Sequence, residues 1–137
     1  MMLKEAQSYL LESSNPSVVN VGSIAGVTGI GRSIAYASSK GALLNRTKSL
    51  ARALGPIRVN AICPGFIQGD WLRNGLGDEV YEMVKEATEK STPLKLTVTA
   101  DQVADSIIYF VEDAVTTTGE TLLLDGGMHL GGPVPLK

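Results

Sequence analysis

The sequence predicts an α/β fold in which about three parallel strands are joined by helical crossovers. Three short apolar runs, VVNVGS, IRVNAIC and GETLLLDGG, have the composition of buried strands. Segments with apolar residues at helical spacing separate them, and this alternation indicates a parallel sheet covered by helices. A chain of 137 residues is enough for one domain, so we expect a single domain over residues 1–137.

The first half of the chain is predicted to form a helix, a strand and a second helix. Small and apolar residues predict a helix over 2–11, and the sequence SSNPS then breaks the pattern. The first strand, VVNV, ends at glycine. We expect a flexible loop of small residues over 25–33, followed by a helix over 34–54 that a Gly-Pro pair ends.

The second half is predicted to begin with the strand IRVNAIC, which the pair PG ends. Residues 66–91 are expected to form a long connection with a helix over 78–90. Thr99 and Gln102 form a capping box, so a helix should run from there to about residue 112. The third strand follows, and the tail HLGGPVPLK is predicted to be irregular.

The bulk composition limits the classes of function. A net charge of −2 gives no general attraction to nucleic acid or to an anionic membrane. Cys63 is the only cysteine, which excludes an internal disulfide and fits a reducing compartment. The N-terminal residues resemble neither a signal peptide nor a membrane span, and no metal-ligand spacing is present. We therefore expect a cytoplasmic protein without a metal.

The segment YASSK carries the first candidate chemistry. Tyr36 and Lys40 are four residues apart on a predicted helix, so their Cβ atoms should lie about 5–6 Å apart. A nearby ammonium favours the ionised form of a phenol, which can then exchange a proton with a substrate oxygen. Ser23 follows the first strand, at the sheet edge where parallel sheets bind ligands. Tyr-Lys pairs and turn serines also occur without function, so the pattern alone leaves both interpretations open.

Taken together, these segments resemble the short-chain dehydrogenase/reductase family. NVGS and YASSK stand at the family's serine-to-tyrosine spacing, and RVNAICPG and LLLDGG follow in the family's order. The similarity is greatest to the 3-oxoacyl-carrier-protein reductases and related carbonyl reductases. It implies a Rossmann-like sheet and an oxidoreductase that uses NAD or NADP to reduce a carbonyl or oxidise a secondary alcohol.

The resemblance also implies a role for each matching residue. Ser23 would bind and polarise the substrate oxygen, and Tyr36 would be the general acid/base. Lys40 would bind the ribose hydroxyls of the nicotinamide and favour the ionised phenol, so Tyr36 and Lys40 also count as cofactor-binding residues. The oxidised nicotinamide would add a second positive charge near that phenol. The loop after the second strand would meet the nicotinamide through Pro64, Gly65 and Ile67.

The resemblance covers only the C-terminal half of the family, so we expect a truncated Rossmann-type domain that lacks the N-terminal βαβ units. The glycine-rich turn that seats the pyrophosphate, the residue that selects NAD or NADP, and the catalytic asparagine have no counterpart in this sequence. The glycine cluster GSIAGVTGIG has the wrong spacing to replace that turn, and we interpret it as a flexible loop on the substrate side. Gly69 stands where the family often has a threonine that holds the carboxamide.

Residues 68–90 match the region that covers the substrate in the family. They could line an apolar pocket or form a surface helix that packs on the sheet; the apolar candidates are Trp71, Leu72, Leu76, Tyr81 and Met83. Asp125, with the two glycines that follow it, is interpreted as a turn. His129 is expected in a surface tail, and Cys63 as a buried filler.

The expected partners are a small carbonyl or alcohol substrate and further copies of the chain. The first strand would be a sheet edge, and edges with apolar neighbours pair with other chains. The helix over 34–54 has two apolar sides, and family members use this helix in a dimer interface, so we expect a homodimer or a higher oligomer. A missing N-terminal half is another expected partner. The alternative function is an inactive, truncated relic that acts as an oligomerising or binding module.

Overall fold

The computed structural model describes residues 2–31 and 33–132, and it contains a parallel sheet of three strands in the order β1-β2-β3. The strands are β1 (Ser17–Val21), β2 (Arg58–Pro64) and β3 (Thr121–Leu124). β1 pairs with β2 from Ser17 opposite Arg58 to Val21 opposite Ile62. The predicted class, an α/β fold with a parallel sheet of three strands and helical crossovers, is confirmed.

Six α-helices and one 3₁₀ turn accompany the strands within the described residues. They are α1 (Met2–Leu11), α2 (Ile24–Thr28), α3 (Ile34–Ala53), α4 (Asp70–Leu76), α5 (Asp78–Ser91), α6 (Ala100–Glu112) and the 3₁₀ turn Met128–Leu130. The predicted capping box starts α6: the Thr99 hydroxyl accepts from the Gln102 amide, and the Gln102 side chain accepts from the Thr99 amide. The helices predicted from periodicity are therefore confirmed to within a residue or two.

Two short helices correct the sequence predictions. The expected loop over 25–33 contains α2, and the expected connection before α5 contains α4. Helices of five and seven residues are marginal in isolation, because few hydrogen bonds offset the cost of nucleation. Their formation depends on packing, which periodicity does not record. The tail is ordered as a 3₁₀ turn over Met128–Leu130, and residues 133–137 lie outside the described part of the chain.

The core lies on both faces of the central strand, β2, which is buried along its whole length. Ile62 packs in a cluster with Val103 and Phe110 of α6. On the neighbouring strand, the Asn20 side chain donates to the Thr47 hydroxyl of α3 at 3.0 Å. Since successive strand side chains point to opposite faces, α6 and α3 cover opposite sides of the sheet. Along the part of the chain that the structure describes, no helix has the length and apolarity needed to cross a membrane.

Candidate active site

A cleft of about 240 Å³ lies at the carboxyl ends of β1 and β2. All six site residues predicted from the sequence line it: Ser23, Tyr36, Lys40, Pro64, Gly65 and Ile67. The first three come from the end of β1 and from α3; Pro64 is the last residue of β2, and Gly65 and Ile67 follow it. Parallel sheets place their strand ends at one edge, which is why segments far apart in the sequence meet here.

Ser23 lies two residues after the end of β1 and is the N-cap of α2. Its hydroxyl oxygen accepts a hydrogen bond from the Ala25 amide at 3.2 Å. A serine hydroxyl has one donor besides its acceptor lone pairs, so capping leaves the hydroxyl hydrogen free to donate. Ser23 can therefore stabilise α2 and bind a substrate oxygen at the same time.

Tyr36 lies in the first turn of α3, where the Ser33 hydroxyl accepts from its backbone amide. The Tyr36 side chain is accessible, with the residue 46% exposed. Lys40 follows one turn later, and its ammonium nitrogen lies 5.7 Å from the centre of the Tyr36 ring. The helical spacing thus brings a cation to the phenol, as the sequence predicted.

Lys40 also makes a contact that the sequence did not predict. Its Nζ donates to the backbone carbonyl of Val21 at 2.9 Å. The backbone groups of Pro16 and Gly22 form hydrogen bonds with β2. In a parallel strand the backbone groups of alternate residues face opposite neighbours, so the carbonyl of Val21 faces away from β2, at the open edge of β1. This bond ties α3 to the end of β1. An ammonium has three donors, so two remain for a ligand.

Two glycines allow the close packing on which this arrangement depends. A Cβ on Gly26 would lie 2.6 Å from the backbone carbonyl carbon of Lys40, so glycine is required where α2 crosses α3. A Cβ on Gly22 would lie 2.7 Å from the sulfur of Cys63. The glycines of GSIAG therefore serve backbone packing, and the first part of the predicted loop, residues 25–28, belongs to a packed helix.

Cys63 is buried beneath Ser23, as its interpretation as a filler predicted. Burial raises the pKa of the Cys63 thiol, while a hydrogen bond from the Ser23 backbone and the charge of Lys40 act in the opposite direction. The raised pKa keeps the Cys63 thiol neutral, so this side chain contributes packing rather than charge.

Two of the five apolar residues considered for a pocket in residues 68–90 line the cleft. Trp71 and Leu72 of α4 line the cleft. Tyr81 instead is buried, with its ring centre 5.4 Å from that of Phe66, and Met83 is 62% exposed on α5. The prediction of an apolar pocket therefore holds for the start of α4, whereas Tyr81, Met83 and also Leu76 do not line the cleft.

The turn after β3 supports the Gly65 side of the cleft. A Cβ on Gly65 would lie 3.0 Å from the Asp125 Cβ, so the two turns are in close contact. The buried Asp125 carboxylate accepts from the Gly127 amide and from both the backbone and Nδ1 of His129. The sequence predicted the turn, but not that Asp125 holds His129 or backs the cleft, because only the tertiary structure brings the ends of β2 and β3 together.

Comparison with known proteins agrees with this geometry. The family model described as "Enoyl-(Acyl carrier protein) reductase" matches residues 1–129. The short-chain dehydrogenase/reductase homolog YusR of Bacillus subtilis is 37% identical over 123 residues, which cover 89% of this chain and 90% of YusR. The chain belongs to the short-chain dehydrogenase/reductase family.

Other members of the family extend the comparison. The putative ketoacyl reductase 2 of granaticin polyketide synthase from Streptomyces violaceoruber is 42% identical over 91% of this chain and 49% of its own length. A small-chain dehydrogenase solved with NADPH matches at 25% identity with a TM-score of 0.85, over 94% of this chain and 57% of that one. A 4-hydroxyisoleucine dehydrogenase solved with NADH matches at 27% identity with a TM-score of 0.80, and the match covers 95% of this chain and 54% of that one. The chain thus spans about half the length of these three relatives.

The site residues fit the nicotinamide end of such a cofactor. Ile67 and Pro64 form an apolar wall that can cover one side of a flat ring, and Lys40 keeps two donors for ribose hydroxyls.

Proposed function

We propose that this chain is the catalytic C-terminal part of an NAD(P)-dependent short-chain dehydrogenase/reductase that reduces a carbonyl or oxidises a secondary alcohol. The observation that carries the proposal is the cleft itself, in which Ser23, Tyr36 and Lys40 line one wall beside an apolar surface. A hydroxyl donor, a phenol and a cation around one small space are the groups needed to hold an oxygen and transfer its proton.

In the direction of reduction, the proposed path of the proton begins at the Tyr36 hydroxyl. The Ser23 hydroxyl donates to the substrate oxygen and holds it, and Tyr36 gives its proton to that oxygen as negative charge develops there. The positive charge of Lys40 stabilises the phenolate that remains. When bound, the nicotinamide supplies the hydride for reduction or accepts it for oxidation.

The proposed cofactor site uses both walls. Lys40 would donate to the ribose hydroxyls, and Pro64, Gly65 and the backbone of Ile67 would hold the nicotinamide ring. Tyr36 would contact the same ribose. The pyrophosphate would bind outside these 137 residues, on a longer chain or on a second polypeptide. Because the residue that selects between NAD and NADP would lie there too, both cofactors are tested.

We propose further that the chain assembles as a homodimer or a higher oligomer. Leu50 of α3 and Leu54, which caps that helix, border a groove with Leu3, Lys4 and Gln7 of α1, and its three leucines support α3 as part of an interface. The open edge of β1 supplies unpaired backbone groups as well. Size-exclusion chromatography with light scattering tests this, and a monomer at micromolar concentration would contradict it.

The decisive experiment compares Tyr36→Phe with the original chain. Binding of NADH and of NADPH is titrated, and turnover is followed by nicotinamide absorbance with a panel of ketones and secondary alcohols. Tyr36→Phe removes one hydroxyl, so turnover should fall by about 10²- to 10⁴-fold, and nucleotide binding should weaken far less because Lys40 and the loop after β2 would still hold the cofactor. Tyr9→Phe is the matched control, because Tyr9 is 74% exposed on α1.

Two results would reject the proposal. The first is a Tyr36→Phe variant that keeps most of its turnover, since the phenol would then not transfer the proton. The second is a chain that neither binds a nucleotide nor turns over any substrate. That result would favour the inactive binding module instead.

A further inference from the structure

The apolar lining of the cleft differs in character from its reacting groups. Apart from Ser23, Tyr36 and Lys40, the side chains that line the cleft are all apolar: Val21, Pro64, Ile67, Trp71 and Leu72. Since Pro64 and Ile67 would face the nicotinamide under the proposed function, Trp71 and Leu72 form the wall left for the substrate. Within the described residues, no carboxylate, amide or second cation lines this space. A substrate hydroxyl or carboxylate placed against this wall would lose its hydrogen bonds to water and gain none.

Two polar side chains on the segments that carry this wall, Arg73 and Gln68, have partners elsewhere. Arg73 lies on α4 directly after Leu72, yet its guanidinium pairs with Asp78 at 2.8 Å and with Glu82 at 2.7 Å. The same group lies 4.1 Å from the centre of the Tyr81 ring. Arg73 is therefore not placed to hold a substrate carboxylate.

The side chain of Gln68 also has a hydrogen-bond partner within the protein. Its side-chain amide donates to the Thr97 hydroxyl at 2.8 Å. Among the described residues Lys40 is the one cation that lines the cleft; it donates to the Val21 carbonyl, and under the proposed function its two remaining donors bind the ribose. The groups that could recognise a sugar or a keto acid are thus either paired within the protein or assigned to the cofactor.

Trp71 gives this wall a large apolar surface. The indole is 86% exposed at the cleft, in the first turn of α4, a helix with no buried side chain. An apolar group that covers the indole removes both surfaces from water, whereas a charged group gains nothing from that contact.

From these contacts we infer that the site takes carbonyl compounds whose substituents next to the C=O are uncharged and apolar, and that it discriminates against keto acids and polyhydroxy ketones. The inference rests on the proposed function for the position of the C=O beside Ser23 and Tyr36. Trp71 and Leu72 are then the residues that determine specificity.

The fluorescence of Trp71 tests the inference without turnover, because Trp71 is the only tryptophan in the chain. The probes are 2-octanone, acetoacetate and dihydroxyacetone, each titrated with and without NADH and NADPH. We expect 2-octanone to shift the Trp71 emission to shorter wavelength with saturation, and the two polar probes to cause no saturable shift. Equal or stronger shifts with acetoacetate or dihydroxyacetone, or no shift with any probe, would overturn the inference.

Two matched variants locate the binding surface. Leu72→Asn makes the wall polar and keeps Trp71, so the affinity for 2-octanone should fall by about tenfold or more. Met83→Asn makes the same kind of change at an exposed residue of α5 outside the cleft and should leave the affinity unchanged. Far-UV circular dichroism confirms that both variants fold, and equal effects of the two substitutions would contradict the inference.

Different results would reject the proposed oxidoreductase function and the proposed apolar specificity. Tyr36→Phe should lower turnover by about 10²- to 10⁴-fold yet keep the shift caused by 2-octanone. If turnover occurs only with acetoacetate or dihydroxyacetone, the apolar specificity is wrong and the oxidoreductase stands. If 2-octanone binds in a manner that depends on Leu72 but is never reduced, the apolar site stands and the proposed function is wrong.

Discussion

Replacing Arg58 by methionine should destabilise the fold through the end of α6. Arg58 is the first residue of β2, is 8% exposed and donates four hydrogen bonds. Nη1 donates to the carbonyls of Phe110 at 2.6 Å and Ala114 at 2.9 Å, and Nη2 to the Val111 carbonyl and the Asn15 side chain. Three of the acceptors are carbonyls at the C-terminal end of α6, where helices leave such groups without partners and carry partial negative charge.

The magnitude follows from which of these bonds are buried. The two bonds of Nη1 are buried and join a charged donor to carbonyls that each keep one other donor, the Ser17 hydroxyl for Phe110 and the Thr117 amide for Ala114. A hydrogen bond to a charged group contributes about 1.5–3 kcal/mol, and the lower end of that range gives about 3 kcal/mol for the pair. The two bonds of Nη2 are only partly buried, and water can replace them. Methionine keeps most of the apolar packing, so lost hydrogen bonding dominates, against a total stability of about 5–15 kcal/mol.

Urea unfolding followed by far-UV circular dichroism measures the change in the free energy of unfolding. Arg58→Lys should lose about half as much, because an ammonium keeps the charge but cannot reach all four acceptors. Arg46→Met, at an exposed arginine of α3, should change stability by no more than about 0.5 kcal/mol. A loss below about 1 kcal/mol for Arg58→Met would show that the carbonyls find other donors and would refute the reasoning.

Two further predictions concern the supports of the cleft. Gly26→Ala should lower the free energy of unfolding by about 1–3 kcal/mol, because the added methyl group forces α2 away from Lys40. Gly75→Ala, in α4 with open space around it, should raise the free energy of unfolding by about 0.5–1 kcal/mol. Thermal unfolding of both variants checks this, and similar changes in melting temperature would contradict it. Burial raises the pKa of Asp125, but hydrogen bonds from His129 and Gly127 outweigh it and hold the pKa below its ordinary value. The carboxylate therefore stabilises the fold above the pKa of an unfolded aspartate, about 3.9, and this contribution is lost as the pH falls through the lower folded value. The stability difference between the original chain and Asp125→Asn should accordingly shrink below about pH 4, and a difference that stays constant with pH would count against this account.

Long elements with a strong local pattern could be predicted from the sequence. The helix α3 follows from twenty residues ended by a Gly-Pro pair, and α6 from its capping box. The strands follow from β-branched and apolar runs. Tyr36 and Lys40 were predicted to share a helical face, and their spacing alone fixes that relation.

The sequence by itself determined the α/β pattern, the one-turn relation of Tyr36 to Lys40 and the family, because each is recorded in neighbouring residues. Only the tertiary structure decided that Lys40 bonds to Val21, that Arg73 pairs with Asp78 and Glu82, and that α2 is a helix. The physical reason is that hydrogen bonds and packing between distant segments depend on the path of the chain. Local periodicity carries no information about that path.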